Sequence, residues 1–275
     1  QAILTLSPFS PNKKLTIIVI GHNSWHFLQK NFSSLDFLKE EQDVEVLYVD
    51  NASTDETRVA VSYSYPNIKM ICYPINRGVA AARNIGMVNA ASEYIMFLDS
   101  DTEMNKEAYY EMMKFMDENP DVGVCGCKLY GQDGVAQNSC KKYPTRKSFF
   151  KGLLRSLGKQ VGLDIYPNAY TESNYNMDQS QPFEVDYVIG ACQLIRRKAQ
   201  TKVGFLDEKI FYGPEDADFC MRIKQAGYRV MYLPMVSISH AYIRPSSTKF
   251  FSKLTWKRIC GLFYFFNKVD RCKKQ

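Results

Sequence analysis

Two carboxylates two residues apart, Asp99 and Asp101, close a stretch that reads Y-I-M-F-L-D-S-D from Tyr94. On an extended chain, side chains two apart point the same way. Two anions held side by side repel each other and call for a cation. Hard divalent ions such as Mg²⁺ or Mn²⁺ take oxygen ligands and commonly share their shell with phosphates. The same residues would also make a plain polar turn, with Thr102 capping the next helix. The pair alone does not choose between these. Two further acidic groups accompany it, Asp50 and the cluster Glu215, Asp216 and Asp218, and a single His240 follows them.

The elements around these residues decide what they can reach. Tyr94–Leu98 is a short continuous apolar run, the mark of a strand buried on both faces. Ligands of open parallel sheets sit beyond the carboxyl ends of such strands. Thr16–Ile20 and Val44–Val49 are two more runs of this kind, and Ile68–Cys72 is a shorter one. Between them lie expected helices. One runs from Trp25 to Leu38 with Ser24 as cap, one follows the Ser53–Glu56 capping-box pattern, and one is the Ala-rich Val79–Ala91. Glu103–Glu118 and Val122–Cys127 continue the alternation. Residues 15–127 therefore predict βαβ units and a mostly parallel central sheet flanked by helices.

The rhythm breaks over residues 128–182, where one basic amphipathic helix is expected. Lys147, Lys151, Arg155 and Lys159 recur every fourth residue, opposite Phe149, Phe150, Leu153, Leu154, Leu157 and Val161. Such a helix packs on its own domain or lies on an anionic membrane surface. Phe183–Ile189 and Gln193–Ile195 read as strands, and Arg196–Val203 as a short helix. Pro214 and the acids at 215, 216 and 218 open a helix that Gly227 stops. Arg229–Leu233 is an expected strand ended by Pro234, with His240 in the following loop. The tail Phe250–Phe266 is aromatic and basic, a second candidate membrane-facing segment.

Composition narrows the class. The chain has 275 residues, 45% of them hydrophobic, enough for a sizeable core. No run approaches the ~20 apolar residues of a membrane span, and residues 1–11 lack the basic start and apolar centre of a signal peptide. Eight cysteines without a C-x-x-C pair favour buried free thiols in a reducing, cytoplasmic compartment. Residues 1–140 carry 11 Lys/Arg against 18 Asp/Glu, and residues 141–275 carry 24 against 11. A basic second half suggests an anionic partner, with nucleotide phosphates, phospholipid and a polyanion all open. No G-x-G-x-x-G follows the first strand and no Walker-type loop occurs anywhere, which disfavours a dinucleotide fold and excludes a P-loop ATPase.

Six stretches in order resemble the family 2 inverting glycosyltransferases, and among them the bacterial rhamnosyltransferase-like branch. They are T-I-I-V-I-G-H-N from Thr16, V-D-N-A-S-T-D from Val49, N-R-G-V-A-A-A-R-N-I-G from Asn76, M-F-L-D-S-D from Met96, G-A-C-Q-L-I-R-R from Gly190, and E-D-A-D-F-C-M-R-I-K-Q-A-G-Y from Glu215. The resemblance implies a GT-A fold, the α/β nucleotide-diphospho-sugar transferase fold. It places the catalytic domain at 15–245, with a nucleotide-binding half at 15–127 and an acceptor-side half at 128–245. Residues 1–14 become an extension and 246–275 a basic aromatic segment.

It also implies roles. Asp50 would accept the N3–H of a uracil or thymine base, and Asn23, Asn51, Arg83, Asp99 and Arg244 would join it on the nucleotide-sugar. Asp99 and Asp101 are the D-x-D motif and, with His240, would hold Mg²⁺ or Mn²⁺. Asp216, then Glu215, would deprotonate the acceptor, at a helix start whose dipole favours acids in any case. Gly190, Ala191 and Cys192 would line the acceptor side. The implied donor is a UDP- or dTDP-sugar and the acceptor a glycan or lipid-linked hydroxyl, as in cell-surface polysaccharide synthesis. Nucleic acid is not an expected partner, and the basic amphipathic segments leave peripheral contact with the anionic inner face of the cytoplasmic membrane open as an alternative to packing on the domain. The competing readings are a nucleotidyltransferase, which would need a basic Gly-rich loop where Gly21-His22-Asn23-Ser24 stands, and a non-catalytic nucleotide-sugar-binding protein, which would not need all the acids.

Overall fold

A computed structural model describes residues 13–160, 163, 175–241 and 253–272. The first half alternates as its periodicity predicts: β1 (Leu15–Gly21), α1 (Trp25–Ser34), β2 (Val44–Asn51), α2 (Thr57–Ser64), β3 (Lys69–Tyr73), α3 (Val79–Asn89) and β4 (Tyr94–Asp99). Then come β5 (Thr102–Glu103), α4 (Lys106–Glu118), β6 (Val122–Tyr130), β7 (Ala136–Gln137), β8 (Cys140–Lys141) and α5 (Arg146–Gln160). The rest is β9 (Phe183–Glu184), β10 (Tyr187–Val188), β11 (Cys192–Arg196), α6 (Arg197–Val203), α7 (Glu215–Gln225), β12 (Arg229–His240) and α8 (Lys253–Cys272).

One main sheet runs in the order β3-β2-β1-β4-β11-β6-β12-β5. The pairs β3–β2, β2–β1, β1–β4 and β6–β12 are parallel, whereas β11 runs antiparallel between β4 and β6. Alternate residues of each central strand feed opposite faces. Ile17, Val19, Met96 and Leu98 join one apolar cluster, and Ile18, Val49, Ile95 and Phe97 the other. Burial on both faces explains why these strands read as unbroken apolar runs. Each fully buried Leu, Ile or Phe contributes roughly 1.5–3 kcal/mol. Arg196 and Arg197, at the end of the fifth quoted stretch, serve this scaffold. Arg196 donates to the carbonyls of Met116, Asn119 and Val122, and Arg197 to those of Ala90 and Ser92.

Several boundaries differ from the sequence expectation. Ser53 does not cap α2, which starts at Thr57; its hydroxyl instead accepts from the Asn23 amide. The helix expected from Glu103 begins at Lys106, with Asn105 accepting from the Ala108 amide. Pro234 does not end β12. The strand shifts register between Leu233 and Ser237, a bulge that tolerates proline, and continues to His240. His240 is therefore a strand residue, paired with Thr102 of β5.

The aromatic tail also departs from its membrane-facing reading. Phe265 and Phe266 of α8 are buried in the core. Phe149 of α5 packs edge-on against Phe263, while Phe150 and Leu154 stay exposed. The apolar face of α5 is thus only partly inward. Among the described residues, no helix is long and apolar enough to cross a membrane.

Candidate active site

Strand β4 stops at Asp99, and the chain turns through Ser100 and Asp101 rather than staying extended. Side chains hold this turn closed. The Thr102 hydroxyl donates to the Asp99 carbonyl at 2.6 Å, and buried Asn31 of α1 donates to the carbonyls of Asp99 and Thr102 at 3.1 and 2.8 Å. Thr102 therefore closes the turn instead of capping a helix. The pairing of β5 with β12 brings His240 alongside, and the Ala241 amide donates to the Asp101 carbonyl at 2.8 Å. The ligand atoms of Asp99, Asp101 and His240 lie within 4.8 Å of one another, with His240 Nε2 3.4 Å from Asp101 Oδ1.

Arg83 of α3 is buried and binds three groups at once. Nη2 donates to Asp99 Oδ1 at 2.8 Å and to the Gly190 carbonyl at 2.7 Å, and Nη1 reaches Glu215 Oε1 at 3.4 Å. A Cβ on residue 190 would overlap the guanidinium, so Gly190 is required by this approach. Withdrawal from water raises the pKa of the Asp99 carboxyl; Arg83 opposes the shift and Asp101 adds to it. A cation between the two aspartates would relieve this strain. Two carboxylates and an imidazole suit Mn²⁺ or Mg²⁺, so the donor set fits the metal that the motif implies.

The start of α7 faces the same space. Glu215 is buried, and burial with the Asp216 charge pushes its carboxyl up to about 7 against the pull of Arg83. Its Oε2 has no hydrogen-bond partner. Asp216 is anchored at Oδ1 by the Ala217 amide, 2.8 Å away, while Oδ2 receives only a long 3.3 Å bond from the Gly190 amide. Asp218 points away into the fold, where Arg222 and Lys268 of α8 neutralise it at 2.9 and 2.6 Å.

Two cavities meet at the aspartate pair. The first, about 450 Å³, is lined by Arg83, Gly190, Glu215, Asp216, His240 and Arg258 among others. The second, about 440 Å³, is lined by Asn23, Asn51, Asn76, Gly78, Phe211 and Leu254 among others. Asp99, Asp101, Val79 and Tyr212 line both. Asn23 and Asn51 are fixed by their own partners. Asn23 Oδ1 accepts from the Thr54 amide at 2.8 Å, and Asn51 Nδ2 donates to Asn76 Oδ1 and the Gly78 carbonyl, both at 3.2 Å. At Gly78, φ is +93° and Phe211 crosses so closely that a Cβ would strike its carbonyl.

Not every expected residue reaches the cavities. Asp50 is fully buried and lines neither; its Oδ2 takes Arg58 Nε at 2.6 Å and the Ser53 amide at 3.0 Å. Ala191 lines the first cavity, but Cys192 packs in the core. Arg244 lies outside the described residues. Sequence reasoning missed Asn31, Arg58, Gln137 and Arg258. The first two sit on helix faces with no motif, and Gln137 lies in a turn-rich segment without periodicity.

A mostly parallel central sheet with β11 reversed between β4 and β6, carrying an Asp-x-Asp turn at the carboxyl end of β4 between two cavities, is the architecture of a nucleotide-sugar transferase of the GT-A fold. The comparisons agree. The family model for Glycosyl transferase family 2 matches residues 16–204. The chain is 26% identical over 239 residues to an N-acetylglucosaminyl-diphospho-decaprenol L-rhamnosyltransferase of Mycobacterium tuberculosis, covering 82% of this chain and 75% of that one. It is 23% identical over 233 residues to the dTDP-rhamnosyl transferase RfbF of Shigella flexneri, covering 84% and 70%. Among solved structures, GalNAc-T7 with UDP, GalNAc and Mn²⁺ superposes with a TM-score of 0.61 at 15% identity, over 85% of this chain and 44% of that one. The mannosyltransferase PcManGT of Pyrobaculum calidifontis, in complex with GDP-Man and Mn²⁺, does so with 0.58 at 20%, over 87% and 60%. This chain belongs to glycosyl transferase family 2.

Proposed function

We propose that the chain transfers a sugar, with inversion, from a UDP- or dTDP-sugar to a hydroxyl of a glycan or lipid-linked acceptor. The observation that carries this reading is the shared wall. Asp99 and Asp101 border both cavities, while Asp216 faces only the first and Asn23 and Asn51 only the second. The second cavity is the nucleoside site, where Asn23 and Asn51 contact the donor and Asp50 acts from beneath by holding Ser53 and Arg58. The first cavity takes the transferring sugar and the acceptor hydroxyl, beside Gly190 and Ala191. Asp99, Asp101 and His240 would hold Mg²⁺ or Mn²⁺, which when bound neutralises a leaving nucleoside diphosphate.

Asp216 is only half-buried where Glu215 is buried, so its Oδ2 is the carboxylate oxygen open to the cavity and takes the acceptor proton. Attack from the opposite side of the anomeric carbon then inverts configuration without a covalent intermediate. Arg83 fixes Asp99 and Glu215 relative to each other, so that donor and base are positioned together. Exposed Phe150 and Leu154 beside Lys147 on α5 support a peripheral contact with anionic lipid, which vesicle co-sedimentation tests.

A thermal-shift screen of nucleoside diphosphates with and without Mn²⁺ tests the donor site, because a ligand of the folded state raises the midpoint. UDP or dTDP is expected to stabilise the protein only with metal, and Asp101→Ala to abolish the shift. A complete absence of nucleotide stabilisation would overturn the reading.

A further inference from the structure

Gln137 touches no expected substrate group, yet its amide is bonded at both ends to one residue. Gln137 Nε2 donates to the His240 carbonyl at 2.9 Å, and Oε1 lies 2.6 Å from His240 Nδ1. The chemistry fixes every proton in this pair. A backbone carbonyl only accepts, so the NH₂ of the amide must face it, and the amide oxygen must then face the ring. That oxygen also only accepts, so Nδ1 must carry the hydrogen. In the neutral ring, Nε2 is then left with its lone pair, and Nε2 is the atom turned toward Asp101 and the metal cluster. A flipped amide would set two acceptors against each other at the carbonyl. The backbone thus orients the amide, and the amide orients the imidazole.

We propose that Gln137 is a positioning residue for the metal centre, holding His240 in the one tautomer that can ligate through Nε2. The proposal rests on the reading of Asp99, Asp101 and His240 as a metal site. Partners that hold the second nitrogen of a ligating histidine commonly change metal affinity by about 10–100-fold. Placement supports the assignment. Gln137 sits in β7, which pairs with β6 at Leu129, and β6 pairs in turn with β12, which ends at His240. The hairpin that returns Gln137 to β6 delivers an amide to the far side of the ring, opposite Asp101. Gln137 also lines the first cavity, so it is within the site and not behind it.

The chain has only three histidines, so ¹⁵N-imidazole NMR of the metal-free protein at alkaline pH resolves each ring, with His240→Ala assigning the signal. The expected spectrum shows His240 protonated at Nδ1 in the wild type and a mixed tautomer in Gln137→Leu. Titration with Mn²⁺ alone, read as free Mn²⁺ by EPR, is expected to give a Kd raised about 10–100-fold in Gln137→Leu. Adding Gln137→Leu to His240→Ala should weaken Mn²⁺ binding no further, because the effect passes through the ring. A wild-type ring protonated at Nε2, wild-type Mn²⁺ affinity in Gln137→Leu, or a further loss in the double variant would each overturn the role. Asp101→Ala binding Mn²⁺ like the wild type would instead overturn the metal site, and the positioning role with it.

Discussion

The two cavities are built in different ways. One wall of the second is made from turns at the ends of β1 and β2, joined by polar bonds between neighbouring βα units, with Phe211 and Leu254 facing it from later in the chain. Asn23 and Thr54 are 31 residues apart, and Asn51 and Gly78 are 27 apart. The first is assembled from distant parts of the chain. Arg83 reaches Gly190 across 107 residues and Glu215 across 132, and Gln137 reaches His240 across 103. The second cavity thus depends on many small polar bonds, whereas the first depends on a few buried charges. Damage should be graded and local in one and cooperative in the other.

The largest expected effect is at Arg83, the residue that joins the two sides. Arg83→Met leaves buried Glu215 and the inner oxygen of Asp99 without their cation, at a stability cost of about 3–5 kcal/mol by urea unfolding. Arg83→Lys should recover only part of this, because one ammonium does not span three acceptors. Lys268→Met comes next. It takes one of two cations from fully buried Asp218 and the cation from Asp207, which keeps its bond from the Tyr264 hydroxyl, costing about 2 kcal/mol and loosening α8, which supplies Arg258 and Leu262 to the first cavity. Thermal melts with limited proteolysis at α8 would register both effects.

Glu215 gives the first cavity a pH dependence. Its carboxyl stands near 7 in the fold against an ordinary value of 4.5. Between those values the folded chain keeps a proton that the unfolded chain has released. Stability from this group is therefore present below about 4.5 and lost as pH rises through about 7. Glu215→Gln should gain stability relative to wild type as pH moves from 6 to 8, seen as diverging melting curves. On the nucleotide side, Asn23→Ala should cost only about 1 kcal/mol. It removes the bond to Thr54 and puts alanine at a φ of +53°, and its effect should not spread to α7.

The same contrast governs what the sequence disclosed. Strands β1, β2 and β4 were legible because burial on both faces leaves an apolar run that ends where the site begins. The D-x-D pair, the acids of α7 and the glycine at 190 were legible through the family resemblance. What stayed hidden depends on pairing between distant strands. His240 was expected in a loop because Pro234 ordinarily stops a strand, and a bulge carries the chain past it. Gln137 belongs to a two-residue strand, too short for any period. Ser53 and Thr102 resemble caps in sequence, but the folded chain uses them to close turns around Asp50 and Asp99. The aromatic tail was ambiguous because a helix face that covers a core has the same composition as one that meets lipid.

In the function proposed above, donor binding and proton removal belong to separate walls of one site. The direct test measures, on the same preparation of Asp216→Asn, the Mn²⁺-dependent affinity for the nucleoside diphosphate and the rate of nucleotide-sugar hydrolysis without acceptor. Affinity within about twofold of wild type is expected, with hydrolysis reduced about 10²–10⁴-fold, the range of a lost general base. Unchanged hydrolysis, or affinity lost in the same proportion as the rate, would contradict it.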